Sequence, residues 1–243
     1  MPRFFVKSNQ IKQDNIEILG EDIKHIKNVL RKNIGDKIEI CDSESGKSYN
    51  CEITQLYDNS ILTHIIEEYP EISSPIQVDI FQGLPKSDKM ELIIQKSVEL
   101  GVNKIIPVSM KRCVVKLDNK ESVKKIARWQ KISESAAKQC GRNNIPEISN
   151  VITLKDIDVS QYDVLIVCYE NEKVNTLKAE LAKINTDSRT KIGVVIGPEG
   201  GLDEQEVELL KNNGAKIVTL GNRILRTETV ALNILSILMY QFS

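Results

Sequence analysis

The spacing of apolar residues changes near residue 72 of this 243-residue chain. Before that point, apolar and polar residues alternate at 37–41 and again at 49–53, with a turn sequence containing serine and glycine between them. Such alternation predicts a hairpin of two half-buried strands. Ahead of the hairpin, residues 21–31 carry apolar residues at helical spacing. We therefore predict a small β-rich domain over residues 1–72.

Beyond residue 72, short apolar runs alternate with segments of helical spacing. Alternation of strands and helices predicts an α/β domain over residues 73–243, with a mainly parallel sheet covered on both faces. The proline- and serine-containing segment at 70–75 has the composition of a linker and marks the boundary. The predicted strands are 78–84, 105–108, 164–168, 192–196 and 217–220, and the predicted helices are 89–100 (capped by Ser87-Asp88 and ended by Gly101), 121–140, 174–184, 204–212 and 227–242.

Two of these predicted strands stop at glycine-marked loops. Residues 194–202 read VVIGPEGGL, and residues 219–229 read TLGNRILRTET. Glycine brings backbone amides to a surface without a side chain in the way. Loops of this kind at the ends of buried strands indicate a small-molecule pocket at one edge of the sheet.

The first loop does not have the features of a phosphate site. A P-loop requires Gly-Lys-Ser/Thr, where this chain has Leu202-Asp203, and the dinucleotide pattern G-x-G-x-x-G is absent. Asp203 and Glu206 can form a capping box at the start of the next helix. Their carboxylates would then use the amides and the helix dipole that a phosphate needs. A neutral or cationic ligand fits better, and a plain strand-to-helix turn is the alternative.

The second loop carries two arginines. Arg223 and Arg226 flank two apolar residues, and Thr227 can cap the helix that follows. That helix is apolar nearly all round, so we expect it in a core or across a subunit interface. Unpaired guanidinium groups at a buried helix end would be costly, which indicates an anionic partner for the arginines.

Charge is nearly balanced overall, at −1, but eleven basic residues and only three acidic ones lie between positions 104 and 142. A net charge of +8 over these 39 residues is a candidate contact surface for a polyanion, and the alternative is a solvated helix face. Five scattered cysteines without a C-x-x-C pair, and only two histidines, argue against a disulfide framework and a zinc site. Without a signal sequence or a membrane-length apolar run, we expect a soluble cytoplasmic protein that uses no metal and no membrane.

The chain resembles a known family in several segments. The loops IGPEGG at 196–201 and LGNRILRTET at 220–229 are similar to the signature of the ribosomal RNA small subunit methyltransferase E family, in the SPOUT superfamily. The resemblance extends to KMELIIQK at 89–96, AAKQCGR at 136–142 and PRFF at 2–5, and so covers nearly the whole chain.

The resemblance implies a fold and an activity. The carboxyl-terminal part would be a trefoil-knotted SPOUT methyltransferase domain of the α/β class, and the amino-terminal part a β-rich PUA-like domain that binds RNA. The cofactor would be S-adenosylmethionine (SAM), the chain a homodimer, and the reaction methylation of N3 of one uridine in the 16S ribosomal RNA of the small subunit. A cationic sulfonium cofactor agrees with the acidic residues that follow the first loop.

Site residues follow from these loops. As catalytic groups we predict Arg226, stabilising negative charge on the uracil carbonyls, and Glu228 as a possible base, whose alternative role is pairing with an arginine. Tyr169 would lie near the adenine or belong to the core. The predicted cofactor-binding residues, acting mostly through their main chains, are Tyr169, Ile196, Gly197, Glu199, Gly200, Leu220, Gly221, Ile224, Leu225 and Arg226. The predicted RNA-binding residues are Arg3, His25, Arg31, Arg112 and Arg142.

Two other functions remain open from the sequence. One is a non-enzymatic RNA-binding module that keeps the knotted domain as a scaffold, which would bind RNA but not SAM. The other is a small-molecule enzyme that uses the pocket without RNA, against which the basic segment argues.

Overall fold

The structure, a computed structural model, describes residues 3–70, 74–185 and 189–242. These residues divide into two units, one of 3–70 with 137–145 and the other of the remaining described residues from 74 onward. The predicted boundary at residue 72 and half of the predicted linker at 70–75 lie outside the described residues. The apolar pattern of the sequence did not predict that residues 137–145 belong to the first unit.

The predicted hairpin is confirmed within a six-stranded sheet in the first unit. Strands β4 and β5 pair antiparallel, and their alternating residues Ile38, Ile40, Cys51 and Ile53 are fully buried. The sheet order is β1-β4-β5-β6-β3-β2, with β1 parallel to β4 and the other pairs antiparallel. The strands are β1 (Arg3–Val6), β2 (Ile11–Lys12), β3 (Asn15–Ile18), β4 (Lys37–Asp42), β5 (Ser48–Leu56) and β6 (Ile61–Tyr69).

The helix predicted at 21–31 is present but is not a regular α-helix. It begins as one α-helical turn, α1 (Asp22–Lys24), and continues as a π-helix over His25–Val29. The amide of Leu30 donates to the carbonyl of His25, five residues back, at 2.9 Å. This wider turn buries Ile26 and still brings Leu30 against the core of the sheet, and Arg31 then leaves the helix with a left-handed φ of +52°.

Polar contacts tie residues 137–145 to the rest of the first unit. The Arg3 guanidinium donates to the Gly141 carbonyl and, at 2.7 Å, to the Asn143 side chain, and it forms an ion pair with Glu39 at 2.7 Å. Lys138 forms a second ion pair with Asp22 at 3.0 Å. Arg3 is thus a structural anchor of this unit.

The second unit contains a seven-stranded sheet in which every assigned pair is parallel, which confirms the predicted α/β organisation. Its order is β10-β8-β7-β12-β11-β13, with β9 also paired to β8. The strands are β7 (Ile76–Gly83), β8 (Lys104–Ser109), β9 (Glu147–Ile148), β10 (Ile152–Thr153), β11 (Val164–Cys168), β12 (Thr190–Ile196) and β13 (Lys216–Val218).

The register places the carboxyl ends of four neighbouring strands in one row. Gln82 of β7 is opposite Ile196 of β12, which is opposite Cys168 of β11, which is opposite Val218 of β13. All four loops that follow therefore leave the same edge of the sheet. This is the position at which parallel sheets usually bind ligands.

The helices of this unit are α2 (Lys89–Glu99), α3 (Asn119–Cys140), α4 (Leu177–Leu181), α5 (Glu204–Asn212) and α6 (Thr227–Phe242). The predictions for α5 and α6 are confirmed residue for residue. The predicted cap of α2 is wrong, because the Asp88 side chain makes no capping hydrogen bond. Gly101 follows the end of α2 with a φ of +98°, a conformation that favours glycine.

Helix α4 is much shorter than the predicted segment 174–184. The Glu172 carboxylate accepts hydrogen bonds from the backbone amides of residues 173, 174 and 175, at 2.7–3.0 Å, which folds them into a turn. The Thr176 hydroxyl then caps the helix by accepting from the Ala179 amide at 3.2 Å. Side chains that bind nearby amides have replaced the first helical turn.

Helix α6 is buried along one side rather than all round. Ala231, Ile234, Leu235 and Leu238 are fully buried, whereas Tyr240 is 89% exposed. Five further apolar residues of the helix are half-buried in the single chain: Val230, Leu232, Ile237, Met239 and Phe242.

The end of β7 makes the closest approach to the first glycine loop. A Cβ placed on Gly83 would lie 2.7 Å from the backbone nitrogen and Cδ of Pro198, and 2.8 Å from Sδ of Met110. A side chain larger than hydrogen would push this loop away from the strand.

We predict that Gly83→Ala lowers the free energy of unfolding by about 1–3 kcal/mol, because the added methyl group overpacks this junction. Urea denaturation followed by circular dichroism measures the change. Ser109→Ala, at the exposed end of β8, is the control and should shift the value by less than about 0.5 kcal/mol. Equal stability of Gly83→Ala and wild type would contradict the close approach.

Candidate functional site

A cavity of about 490 Å³ lies at the carboxyl ends of β11, β12 and β13. Its wall includes both glycine-marked loops and the residue that follows β11. All ten residues predicted to bind the cofactor line it: Tyr169, Ile196, Gly197, Glu199, Gly200, Leu220, Gly221, Ile224, Leu225 and Arg226.

Glycines give this cavity its backbone walls. A Cβ on Gly197 would lie 3.0 Å from the carbonyl carbon of Gly201, so the first loop closes tightly on itself. Gly201 has a left-handed φ of +70°, and the Glu170 carboxylate occupies the position that a side chain there would need. At Gly221, with a φ of +115°, no atom lies within 4 Å of the position that a Cβ would take. The second loop therefore exposes its backbone to the cavity.

The predicted capping box after the first loop is confirmed. The Asp203 carboxylate accepts from the Gln205 amide at 3.3 Å, and the Glu206 carboxylate accepts from the Asp203 amide at 3.0 Å. Lys111 donates to Asp203 at 2.9 Å, and this hydrogen bond is the main cause that holds the pKa of the Asp203 carboxyl below its ordinary value. The amino end of α5 is thereby occupied by carboxylates, which disfavours a phosphate there.

A lysine missed by the sequence interpretation joins the two loops. The Lys89 ammonium lies 3.1 Å from Glu199 and 3.3 Å from Glu228. The prediction that Glu228 pairs with an arginine is therefore wrong, because its partner is Lys89. The hydrogen bond to Glu199 is the largest cause of the raised pKa of Lys89. The spacing of α2 gave no signal that its first residue turns toward the pocket.

The two arginines of the second loop are exposed, contrary to the expectation of a buried helix end. Arg223 and Arg226 both line the cavity, and neither forms an ion pair with any residue in the described parts of the chain. Their positive charges are therefore available to an anionic group that enters the cavity.

Tyr169 is half-buried at the cavity wall. Its backbone amide donates to the Val218 carbonyl at 3.0 Å, and its hydroxyl accepts from the Asn171 side chain at 3.1 Å. Cys168, just before it, is buried, and burial raises the pKa of its thiol to about 12. That thiol is uncharged at neutral pH and acts as a wall group.

The cavity has the properties that SAM requires. Its volume is within the range of about 300–1,000 Å³ that is common for small-molecule sites. Exposed backbone at Gly221 can approach a ligand closely, and the Glu170 carboxylate on the wall, which forms no ion pair among the described residues, favours a cation. The residues present therefore fit a cofactor that carries a sulfonium and an ammonium group.

The residues predicted to bind RNA have different environments. His25 and Arg31 are exposed in the first unit, and the His25 ring also packs edge-on against Phe4. Arg142 is half-buried, donates to Asn144 at 3.2 Å, and has a pKa lowered by burial. Arg112 donates to the Gly200 carbonyl at 3.2 Å and lies 3.7 Å from Asp203, so it braces the first loop.

The basic segment at 104–142 is largely neutralised, which the charge count did not anticipate. Five of its cations lie in ion pairs with acids outside the segment: Lys104 with Glu147, Lys111 and Arg112 with Asp203, Arg128 with Glu91, and Lys138 with Asp22. Folding therefore pairs charges that are far apart in the sequence. The exposed lysines of the segment without such an ion pair among the described residues are Lys116, Lys120, Lys124, Lys125 and Lys131.

All five cysteines are free thiols. Within residues 3–70, 74–185 and 189–242, no group of three His, Cys, Asp or Glu side chains is placed to hold a metal ion. No helix in the same described ranges is both long and apolar enough to cross a membrane.

The Glu199 carboxylate generates a pH-dependent prediction. Partial burial raises its pKa, but hydrogen bonds from its own amide, Lys89 and the Lys86 amide outweigh burial and lower it. A lowered pKa stabilises the fold above the ordinary glutamate pKa, and this stabilisation is lost as the pH falls through the lowered value. Glu199→Gln should therefore reduce the free energy of unfolding by about 0.5–1 kcal/mol at pH 7.

The difference between Glu199→Gln and wild type should begin to shrink below about pH 4.3, where the unfolded carboxyl is protonated, and should disappear once the pH falls below the lowered pKa of the folded carboxyl. Urea denaturation at pH 7 and at several values below about pH 4.3 measures this change. Glu208→Gln, at an exposed position of α5, is the control and should show no such change. A difference that is constant with pH would contradict the stabilising role of the ionised carboxyl.

Comparison with known proteins gives matches over both units. Residues 73–239 match the RNA methyltransferase domain family, and residues 18–66 match the RNA methyltransferase PUA domain family. The ribosomal RNA small subunit methyltransferase E of Bacillus subtilis is 40% identical, over 99% of this chain and 97% of that protein.

Solved structures show the same similarity. A ribosomal RNA small subunit methyltransferase E from Neisseria gonorrhoeae, solved with S-adenosyl methionine bound, is 32% identical with a TM-score of 0.84, covering 100% of this chain and 98% of that one. A Legionella pneumophila protein in complex with the cofactor SAM is 28% identical with a TM-score of 0.83, over 98% and 96% of the two chains. The fold is thus an α/β methyltransferase fold with an amino-terminal PUA-like domain, and the chain belongs to the ribosomal RNA small subunit methyltransferase E family.

Proposed function

We propose that this protein is a SAM-dependent RNA methyltransferase that methylates N3 of one uridine in the 16S ribosomal RNA of the small subunit. The observation that carries the proposal is the single cavity in which two glycine loops meet two exposed arginines without ion-pair partners among the described residues. Carboxylates on its wall suit a cationic cofactor, and the arginines suit an anionic substrate. An enzyme that modifies ribosomal RNA acts where ribosomes are, so we place it in the cytoplasm.

We assign cofactor binding to the ten cavity residues named above, mainly through backbone groups of the loops after β12 and β13. SAM, when bound, supplies a methyl group on a sulfonium that is already strongly electrophilic. The main task of the protein is then to place uridine N3 in line with that methyl group. Positioning of this kind can contribute on the order of 7–11 kcal/mol to the lowering of the barrier.

Arg226 is the group we assign to the reacting base. Uridine N3 carries a proton at neutral pH, and its loss leaves negative charge on the flanking carbonyl oxygens. The Arg226 guanidinium, which forms no ion pair within the described part of the chain, can stabilise that charge. Glu228 is the candidate proton acceptor, and its contact with Lys89 gives it the alternative role of fixing that lysine between the two loops.

RNA recognition would use groups in both units. In the first unit we assign it to His25 and Arg31, which are exposed. Arg3, Arg112 and Arg142 would act indirectly, because each is held by other groups of the chain. Exposed lysines of the segment 104–142 would add phosphate contacts, whose strength falls as salt rises. The target uridine must also leave its stack to reach the cavity.

We further propose that residues 1–72 and 73–243 are the functional domains, that the second contains a trefoil knot, and that the chain acts as a homodimer. The knot is supported by α6, which follows the edge strand β13 yet bonds to Gln82 and Gly197 of the sheet centre. The dimer is supported by the apolar residues that α6 leaves partly exposed, with Tyr240 at 89%.

A non-enzymatic RNA-binding module on the same scaffold is the alternative. Calorimetric titration with SAM separates the two, because the module would release no heat of binding. Methyl transfer to small subunits from cells that lack the modification, followed by nucleoside analysis, should then yield N3-methyluridine. Methylation of a different atom or nucleoside would reject the proposed specificity, and no SAM binding would reject the enzyme.

Arg226→Ala should lower turnover by about 100-fold or more, since removing one group that stabilises transition-state charge has an effect of this size. The dissociation constant of SAM should change far less. Arg226→Lys is the matched variant that keeps the charge but not the planar fork of donors, and it should recover part of the rate. A loss of SAM affinity with unchanged turnover would limit Arg226 to cofactor binding and remove its assigned role at the reacting base.

A further inference from the structure

A buried polar contact joins three segments beneath the cavity. The Thr227 hydroxyl, in the first residue of α6, donates to the Gly197 carbonyl at 2.7 Å. It accepts from the Gln82 side-chain amide at 2.8 Å, and the same amide nitrogen donates to the Gly83 carbonyl at 2.9 Å. Gln82 is fully buried and Thr227 is 5% exposed, so water does not compete for these bonds.

The direction of each hydrogen bond is fixed by chemistry. The Gly83 carbonyl can only accept, so the Gln82 atom that faces it is the amide nitrogen. That nitrogen can only donate, and the Thr227 oxygen must therefore accept from it. The single hydroxyl hydrogen of Thr227 is left to point at the Gly197 carbonyl. Gln82 thus sets the orientation of a hydroxyl on another element.

The same junction is closely packed. Gly83 allows Pro198 to within contact distance of β7, and Gly197 allows its own loop to close, as the positions of their absent Cβ atoms show. The Gly197–Pro198 peptide is therefore held by packing on one side and by the Thr227 hydroxyl at its carbonyl oxygen. Gly197 lines the cavity, whereas Gln82 lies behind it.

Thr227 stands between the two residues assigned to the chemistry. Arg226 precedes it, and Glu228, with its contact to Lys89, follows it. A shift of the Thr227 backbone relative to Gly197 would move both residues relative to the cofactor loop. A misplacement of about 1 Å can reduce an enzymatic rate by about 100-fold.

We propose that Thr227, oriented by Gln82, is a positioning residue that fixes the arginine-bearing start of α6 against the cofactor loop. The inference rests on the proposed methyltransferase function. Thr227 lines the cavity, but its hydroxyl is engaged by the Gln82 amide and the Gly197 carbonyl, so it acts through that carbonyl and the helix backbone. The inference predicts that removing the hydroxyl lowers turnover more than it weakens SAM binding.

The first test uses Thr227→Val, which keeps the shape of the side chain and removes the hydroxyl. Turnover should fall by about 100-fold, while the SAM dissociation constant, measured by calorimetry, stays within about threefold of wild type. Thr227→Ser, which restores the hydroxyl, should recover turnover to within about threefold. Ser236→Ala, an exposed hydroxyl on the same helix, is the control and should behave as wild type.

The second test uses Gln82→Glu, which keeps the size of the side chain but changes the hydrogen-bond direction with pH. A protonated carboxyl can still donate to the Thr227 oxygen, whereas a carboxylate can only accept and draws the hydroxyl hydrogen away from Gly197. The turnover of the variant relative to wild type should therefore fall as pH rises. Because ionising a buried carboxyl also destabilises the fold, circular dichroism is recorded at each pH, and a purely structural role for Gln82 would lower turnover only where the folded fraction falls.

The outcomes separate this inference from the proposed function. Wild-type protein that fails to bind SAM or to methylate small subunits rejects the function itself. With an active wild type, unchanged turnover in Thr227→Val, or weakened SAM binding with unchanged turnover, overturns the positioning role. If Thr227→Val does not fold, the pH profile of Gln82→Glu decides, and a constant ratio overturns the inference.

Discussion

The arrangement of the second unit depends on the close contact between the end of β7 and the loop that follows β12. Two glycines make this contact possible, because any side chain on Gly83 would collide with Pro198, and a Cβ on Gly197 would lie only 3.0 Å from the backbone of its own loop. The parallel register then brings the ends of β11 and β13 to the same level. Backbone packing, rather than a cluster of catalytic side chains, creates the cavity.

The charged groups around the cavity fall into two sets, carboxylates that have partners within the chain and arginines that form no ion pair with the described residues. Carboxylates at the start of α5 are satisfied by backbone amides and by Lys111, and those of Glu199 and Glu228 share Lys89. The carboxylates near the first loop are thus paired within the chain, whereas the arginines of the second loop present positive charge to a substrate.

Much of this organisation could be predicted from the sequence because it depends on local signals. Alternating residues fixed the β4–β5 hairpin, and the capping box at Asp203 fixed the start of α5. Glycine loops after strands located the cavity. The partners of Lys89 and the Gln82–Thr227 contact could not be predicted, because each joins residues more than 100 positions apart in the chain.

The local rules failed where side chains compete with the backbone or where folding brings distant charges together. Glu172 binds three successive amides and delays the start of α4, which its composition did not indicate. The basic segment at 104–142 counted as a strong positive surface, yet four acids from outside it form ion pairs with five of its cations. The net charge of a sequence segment gives the charge of the folded surface only where its charged groups do not pair with groups from elsewhere in the chain.

The assignment of residues 137–145 to the first unit has a consequence for synthesis on the ribosome. The amino-terminal sheet ends at Tyr69, but Arg3 finds its partners at Gly141 and Asn143, and Asp22 finds its partner at Lys138. During translation β7, β8 and most of α3 are synthesised before residues 137–145, so the first unit cannot form these contacts until then. Its final anchoring is a late event, and no single cut in the chain yields that unit whole.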